Sequence, residues 1–363
     1  MTEEAQSEIN QPELPKPPKV QTIPYLTADV PGIGGIIKQE PEDFTVEEIP
    51  AYEPIGEGEH LFVWIEKREV SSEQLTRHVA DKLSLSPRDI GTAGLKDRQA
   101  VTRQYISVPA KCEPNVESLN TDSIRVLHSK RHQNKLRTGH LNGNRFSILI
   151  RDVDAEMFDN AETIGKRITS LGFPNAFGEQ RFGHDGSTLK LGFDLLTGRT
   201  TQRKLSAARR RFLLRLALSA VQSELFNRVL SERITDELLH TVLEGDVMQV
   251  HPTGGCFVVD DVETDQRRFD AREIMTTGPI FGPKMKAPSA APAEREQRVL
   301  KAMGLEPACF QKFRKLTQGT RRPLIVRPDE FSVKRDAGGL RLRFTLPSGT
   351  YATTLLREFQ KNE

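Results

Sequence analysis

Residues 323–347, PLIVRPDEFSVKRDAGGLRLRFTLP, decide how this 363-residue chain is organised. Strand-forming residues dominate the stretch and it reads as a hairpin. Before it the chain has a different character. Residues 206–233 carry apolar Phe212, Leu216, Ser219/Ala220, Phe226 and Val229/Leu230 at helical spacing, and helices with short strands continue to about Gln318. The beginning of the chain is β-rich again. Residues 33–48 predict two short strands about a proline-marked turn, residues 59–66 (EHLFVWIE) a third, and residues 123–127 and 145–153 two more. Helices are expected after Ser71 or Ser72, where Leu75, Val79 and Leu83 recur every four residues, and over 155–171. Strands at both ends of a chain tend to close one sheet. The fold class is therefore α+β, one domain interrupted by an inserted domain: a core from 26–171 and 323–363, with an insertion over 172–322. Residues 1–25, with Pro12, Pro15, Pro17, Pro18 and Pro24, read as a disordered tail, and 283–296 (PKMKAPSAAPAERE) as a mobile loop.

Composition narrows the function. No run approaches 18 apolar residues, so no transmembrane helix is expected. Three distant cysteines, Cys112, Cys256 and Cys309, argue for a reducing compartment and a cytoplasmic protein. Eight scattered histidines show no metal-ligand spacing, and neither a phosphate loop nor a GxSxG elbow is present. Net charge is only +2, but its distribution is uneven. Residues 123–151 hold seven Lys/Arg and no acid (Arg125, Lys130, Arg131, Lys135, Arg137, Arg145, Arg151). Residues 195–223 hold seven more (Arg199, Arg203, Lys204, Arg209, Arg210, Arg211, Arg215). Segregated cations favour a polyanion, because each neutralised phosphate releases counterions.

One acid stands apart. In residues 91–108, GTAGLKDRQAVTRQYISV, a glycine-marked turn holds Asp97 between Lys96 and Arg98, just before a strand. That pattern fits a solvated turn, and it also fits an aspartate kept ionised by neighbouring cations and used as a nucleophile without a cofactor. A nucleic-acid base attacked in this way must be unstacked and held on an aromatic ring. Phe146, following Asn142-Gly-Asn-Arg145, stands at a loop-to-strand junction suited to that task, or equally suited to core packing.

Five blocks, in order, resemble the TruD family of tRNA pseudouridine synthases: KQEPEDFTVEE (38–48), GTAGLKDRQAVTRQ (91–104), GHLNGNRF (139–146), PNAFGEQRFG (174–183) and LPSGTYATTLLRE (346–358). The resemblance implies a pseudouridine synthase core, a mixed, mostly antiparallel sheet flanked by helices, carrying an inserted α/β domain. It implies isomerisation of uridine 13 of tRNA with no cofactor and no metal. Asp97 matches the family nucleophile, attacking C6 of the base or C1′ of the ribose. Asn144, Phe146 and Lys38 are the candidate substrate-binding residues, Lys38 as the cation that pairs with Asp97 or binds phosphate. Arg131, Lys135, Arg181, Arg209, Arg210 and Arg211 are the candidate RNA contacts. A monomer that binds tRNA and no membrane is expected. A non-catalytic RNA binder and a carboxylate-dependent hydrolase remain the alternatives, the latter requiring a second carboxylate.

Overall fold

The hairpin forms β13 (Asp329–Asp336) and β14 (Gly339–Pro347), closed by Gly338 in the left-handed region at φ 86°. The structure is a computed structural model, which describes residues 17–207 and 209–362. β14 pairs along its length with β6 (Leu141–Arg151), so the end of the chain completes a sheet begun near its start. The other strands of that sheet are β1 (Phe44–Pro50), β2 (His60–Arg68), β4 (Val101–Pro109) and β5 (Ile124–His132), with the two-residue β3 (Gly91–Thr92) beside β4. Their order is β13-β14-β6-β1-β4-β2-β5, and only β1 and β4 run parallel. The architecture is α+β with a mixed, mostly antiparallel sheet.

The chain divides into two compact units, one of 25–173 with 326–363, the other of 174–325 with the described residues up to Pro24. The two-residue strands β7 (Phe173–Pro174) and β12 (Ile325–Val326) mark the crossings. Phe173 and Val326 belong to the apolar core of the larger-sheet unit, which sets the crossings two and three residues later than sequence pattern suggests.

In the larger-sheet unit α1 (Ser72–Lys82) begins with a reciprocal cap between Ser71 and Gln74, and buries Leu75 and Val79 against Leu61, Val63 and Ile65 of β2. α2 (Phe158–Leu171) buries Ala161, Ile164 and Ile168, and α8 (Ala352–Gln360) buries Leu355, Leu356 and Phe359, both over β14, β6 and β1. Glu358 of α8 accepts bonds from the Leu26 and Thr27 amides and the Thr27 hydroxyl, which ties the start of this unit to its last helix.

The second unit is built on α4 (Arg210–Thr235), which packs with α3 (Ser187–Leu196) and α6 (Ala290–Ala302) through Phe193, Val221, Leu225 and Val299. Its antiparallel sheet has the order β11-β10-β8-β9, from β8 (Val247–Val250), β9 (Cys256–Val258), β10 (Ile274–Ile280) and β11 (Thr320–Pro323). α5 (Val262–Asp270) and α7 (Pro307–Gln311) complete it.

Three expectations from sequence are corrected. The loop expected over 283–296 becomes α6 from Ala290, because Glu296 is buried in an ion pair with Arg321 of β11. Part of the tail expected over residues 1–25 is described. Residues 1–16 lie outside the described residues, but the Gln21 amide donates to the Glu224 carboxylate and Ile23 is buried. Strand β5 runs on to His132, placing Arg131 within it; it is an edge strand with polar residues on both faces, which hides the alternation.

Gly192 of α3 offers a direct check of the second unit. A methyl group there would meet the Ala217 carbonyl oxygen at 2.0 Å. In an isolated helix Gly→Ala stabilises by about 1 kcal/mol. Here overpacking against α4 costs about 1–3 kcal/mol and reverses the sign. Gly192→Ala is expected to lower the thermal midpoint, and an unchanged or raised midpoint would show that α3 and α4 pack less closely than described.

Candidate active site

Paired residues on neighbouring strands share a face of the sheet. The pairings Phe146–Val46, Asn144–Glu48, Val46–Thr102 and Thr102–Lys67 therefore place the α1 cluster and the α2/α8 cluster on the same face. Between them the face carries Asn144, Glu48, Gln104, Thr102 and Lys67, a strip of polar side chains where a core would otherwise be apolar. Glu48, Gln104, Thr102 and Lys67 are buried. Several of their atoms have no hydrogen-bond partner, namely Asn144 Oδ1, Thr102 Oγ1 and both amide atoms of Gln104. Such groups are expensive to bury and are rarely kept without a task.

Asp97 lies over this strip in the segment between β3 and β4. Three contacts fix the segment. Lys96 Nζ donates to Glu48 Oε2 at 2.6 Å, with side chains 4% and 0% exposed. The Lys96 amide donates to Ser72 Oγ, at the start of α1. Lys67 Nζ donates to the Asp97 carbonyl at 3.1 Å. Burial pushes the Glu48 carboxyl above its ordinary range, against the pull of Lys96. The Asp97 carboxylate, 49% exposed, meets Lys38 Nζ at 3.4 Å. Of the cations near it in sequence, Lys96 is thus committed to Glu48.

The PEDF turn explains how Lys38 arrives there. Asp43 is buried and takes a bidentate bond from Arg151 at 2.8 and 2.7 Å while accepting the Glu40 amide. Burial alone would raise the Asp43 carboxyl; the bonds from Arg151 and the Glu40 amide outweigh it and hold the group low. With that turn anchored, Lys38 adopts φ 61°, a left-handed conformation that costs a non-glycine residue roughly 1 kcal/mol or more. Its ammonium then lies 4.2 Å from the centroid of the Phe44 ring, beside Asp97.

Phe44 leads to Phe146. Their rings meet edge to face at 6.2 Å, and Phe146 stacks on Phe344 at 5.3 Å. Phe146 is 7% exposed, so most of its surface packs in the core whatever else it does. Asp97, Lys38, Phe44 and Phe146 form one continuous series of contacts, with Asn144 next to Glu48.

The remaining sequence candidates make other contacts. Arg131 pairs with Glu113 and Lys135 donates to the Arg88 carbonyl. In the second unit Arg181 donates to Ser223 and lies over Phe177, and Arg210 donates to the Leu205 carbonyl. Arg209 and Arg211 are exposed at the start of α4.

Sequence pattern passed over Glu48, Gln104, Thr102 and Lys67. Lys67 had a legible signal: it is the fourth member of the inward row Leu61, Val63, Ile65, Lys67, all 0% exposed. Among the described residues no group of His, Cys, Asp or Glu could hold a metal ion, and no helix is long and apolar enough to cross a membrane.

Comparison with known proteins identifies the family. The sequence matches the family described as "tRNA pseudouridine synthase D (TruD)" over residues 21–203 and 205–359. A relative named tRNA pseudouridine synthase D from Anaeromyxobacter dehalogenans is 42% identical over 341 residues, covering 94% of this chain and 97% of its own. A protein of the same name from Thermus thermophilus is 41% identical over 344 residues, covering 94% and 93%. The crystal structure of a putative TruD from Methanosarcina mazei superimposes with a TM-score of 0.76 at 26% identity, covering 97% and 99%. With the family match running over most of the chain and relatives at 42% and 41% identity covering 94% of it, the chain belongs to the TruD family of tRNA pseudouridine synthases.

Proposed function

We propose that this protein converts uridine 13 of tRNA to pseudouridine, with Asp97 as the nucleophile. The observation that carries the reading is a half-exposed Asp97 carboxylate beside Lys38, on a segment anchored by buried Lys96, Glu48 and Lys67. A carboxylate held in place by contacts other than its own oxygens is free to attack. Attack at C6 of the base or C1′ of the ribose, release of the base through cleavage of its N1–C1′ bond, rotation, and rejoining through C5 are followed by loss of the C5 proton to water and gain of a proton at N1. Composition and oxidation state are unchanged, so no redox cofactor is required.

In this reading Lys38 balances the charge of Asp97 or takes the phosphate of the target nucleotide. Asn144 Oδ1, unpartnered, accepts a hydrogen bond from the uracil, and the edge of Phe146 supports its ring. The unit of 25–173 and 326–363 is the catalytic core and 174–325 the inserted domain. Arg131 and Lys135 of the first, and Arg181 with Arg209, Arg210 and Arg211 of the second, meet tRNA phosphates. The protein acts in the cytoplasm as a monomer.

The test is product analysis on unmodified tRNA. Pseudouridine retained in the chain supports the reading; a released base would mean a hydrolase, and unchanged RNA a binder. Asp97→Asn is expected to abolish turnover while affinity for tRNA stays within about twofold, since phosphate contacts dominate binding. Turnover by an Asn variant free of deamidated protein would sink the nucleophile assignment.

Phe146 needs a variant that separates packing from stacking. Phe146→Ala empties a core position and is expected to cost about 3–5 kcal/mol of stability. Phe146→Leu keeps most of the volume, so the fold should persist while loss of a stacking surface, about 1–3 kcal/mol, lowers single-turnover rate roughly tenfold. Near-normal turnover by the Leu variant would leave Phe146 a packing residue.

Affinity for tRNA is expected to fall steeply with salt. Neutralising Arg209 and Arg211 should flatten the log–log slope by about one for each phosphate that is no longer neutralised. An unchanged slope would place both arginines away from the RNA.

A further inference from the structure

The inward row of β2 should be apolar throughout, yet it ends in Lys67, 0% exposed. Withdrawing an ammonium from water is costly unless its donors are used. Lys67 Nζ uses them on two carbonyls, Val70 in the turn before α1 at 2.5 Å and Asp97 at 3.1 Å. Its paired residues in the sheet are Thr102 of β4, whose hydroxyl has no partner, and Ile124 of β5, so neither paired residue is a carboxylate.

We propose that Lys67 is a positioning residue for the reaction: its buried ammonium holds the peptide unit of Asp97 against the start of α1 and so sets where the carboxylate attacks. The inference rests on Asp97 being the nucleophile. A misplacement of about 1 Å at a reacting atom costs about a hundredfold in rate, which is the scale on which such a tether acts.

The charged groups around Lys67 are few. From the segment between β3 and β4 come Asp97, which favours its charge, and Lys96, which opposes it; Lys96 is engaged by Glu48 of β1, and Asp97 by Lys38. From α1 the neighbouring group is the neutral Ser72, bonded to Lys96. Burial outweighs the attraction of Asp97 and brings Lys67 down to about 8. A folded value below the unfolded one means that the charged form is disfavoured by folding. The cost is fully present below about pH 8 and disappears as the pH rises toward the ordinary lysine value. A lysine kept only for stability would not be placed so.

The experiment is single-turnover kinetics of Lys67→Met on unmodified tRNA, with thermal unfolding and tRNA affinity measured on the same preparation. Expected are a rate constant lower by roughly tenfold or more, affinity within about twofold, and a thermal midpoint at neutral pH equal to or above that of the parent. The parent rate should also decline from about pH 7 to about 9.5 with a midpoint near 8, a limb that Lys67→Met lacks. The pH profile of the parent needs no variant, so a Met variant that fails to fold does not remove the test. A parent profile level across that range, or a folded Lys67→Met turning over at the parent rate, overturns the proposal. Asp97→Asn run alongside separates the two claims. If it turns over, the nucleophile reading falls; if it is inactive while Lys67→Met is normal, only the role of Lys67 falls.

Discussion

The ion pair between Lys96 and Glu48, both side chains withdrawn from water, is the constraint on which the site depends. A buried pair of this kind contributes little net stability against well-packed apolar residues, but loss of one partner strands the other charge and costs about 3–5 kcal/mol. The pair therefore acts less as a source of stability than as a fixed attachment. It takes the residue beside Asp97 and anchors it to the centre of the sheet, on a strand whose neighbour, β6, carries Asn144 and Phe146. The Asp97 segment and the base-binding candidates are thereby referred to the same two strands.

The rest of the unit keeps those strands in place. Asp43 and Arg151 link the PEDF turn to the end of β6, and Glu358 links α8 to residues 26 and 27. Both acids lie in blocks shared with the family, and both serve the scaffold. The blocks are thus of mixed meaning: Asp97 and Lys38 face the exposed side of the site, whereas Asp43, Glu48 and Glu358 are buried where only protein can meet them. A shared motif marks what the fold cannot lose, and here much of that is support for one exposed carboxylate.

The split of the chain into two units follows from the same economy of strands. β14 lies between β13 and β6, so the larger sheet needs the end of the chain before it can close. The inserted residues build a separate core around α4. Its exposed cations at the start of α4 oppose the helix dipole, which carries partial positive charge there. Arg209 and Arg211 are therefore unfavourably placed for the free protein.

Local pattern determined a good deal. The run of β-forming residues in β2, four-residue spacing in α1 and the bracketing of helices by strands are short-range signals, and they were sufficient for an α+β core with an insertion. Five short blocks were sufficient for the family, because each depends on side-chain identity at fixed spacing. What they could not supply was partnership across the sheet. Lys96 and Arg98 are the cations nearest Asp97 in sequence, yet Lys38, on another segment, meets it, because the anchored PEDF turn carries Lys38 over Phe44. Lys67 lies just beyond the strand expected over 59–66, and register places it under the Asp97 carbonyl. Likewise α6 looked like a loop because the partner that buries Glu296 is Arg321 on β11, a distant strand. Periodicity records which residues face inward; which inward residues meet is decided by register and by the desolvation of charge, and those exist only once the chain has closed.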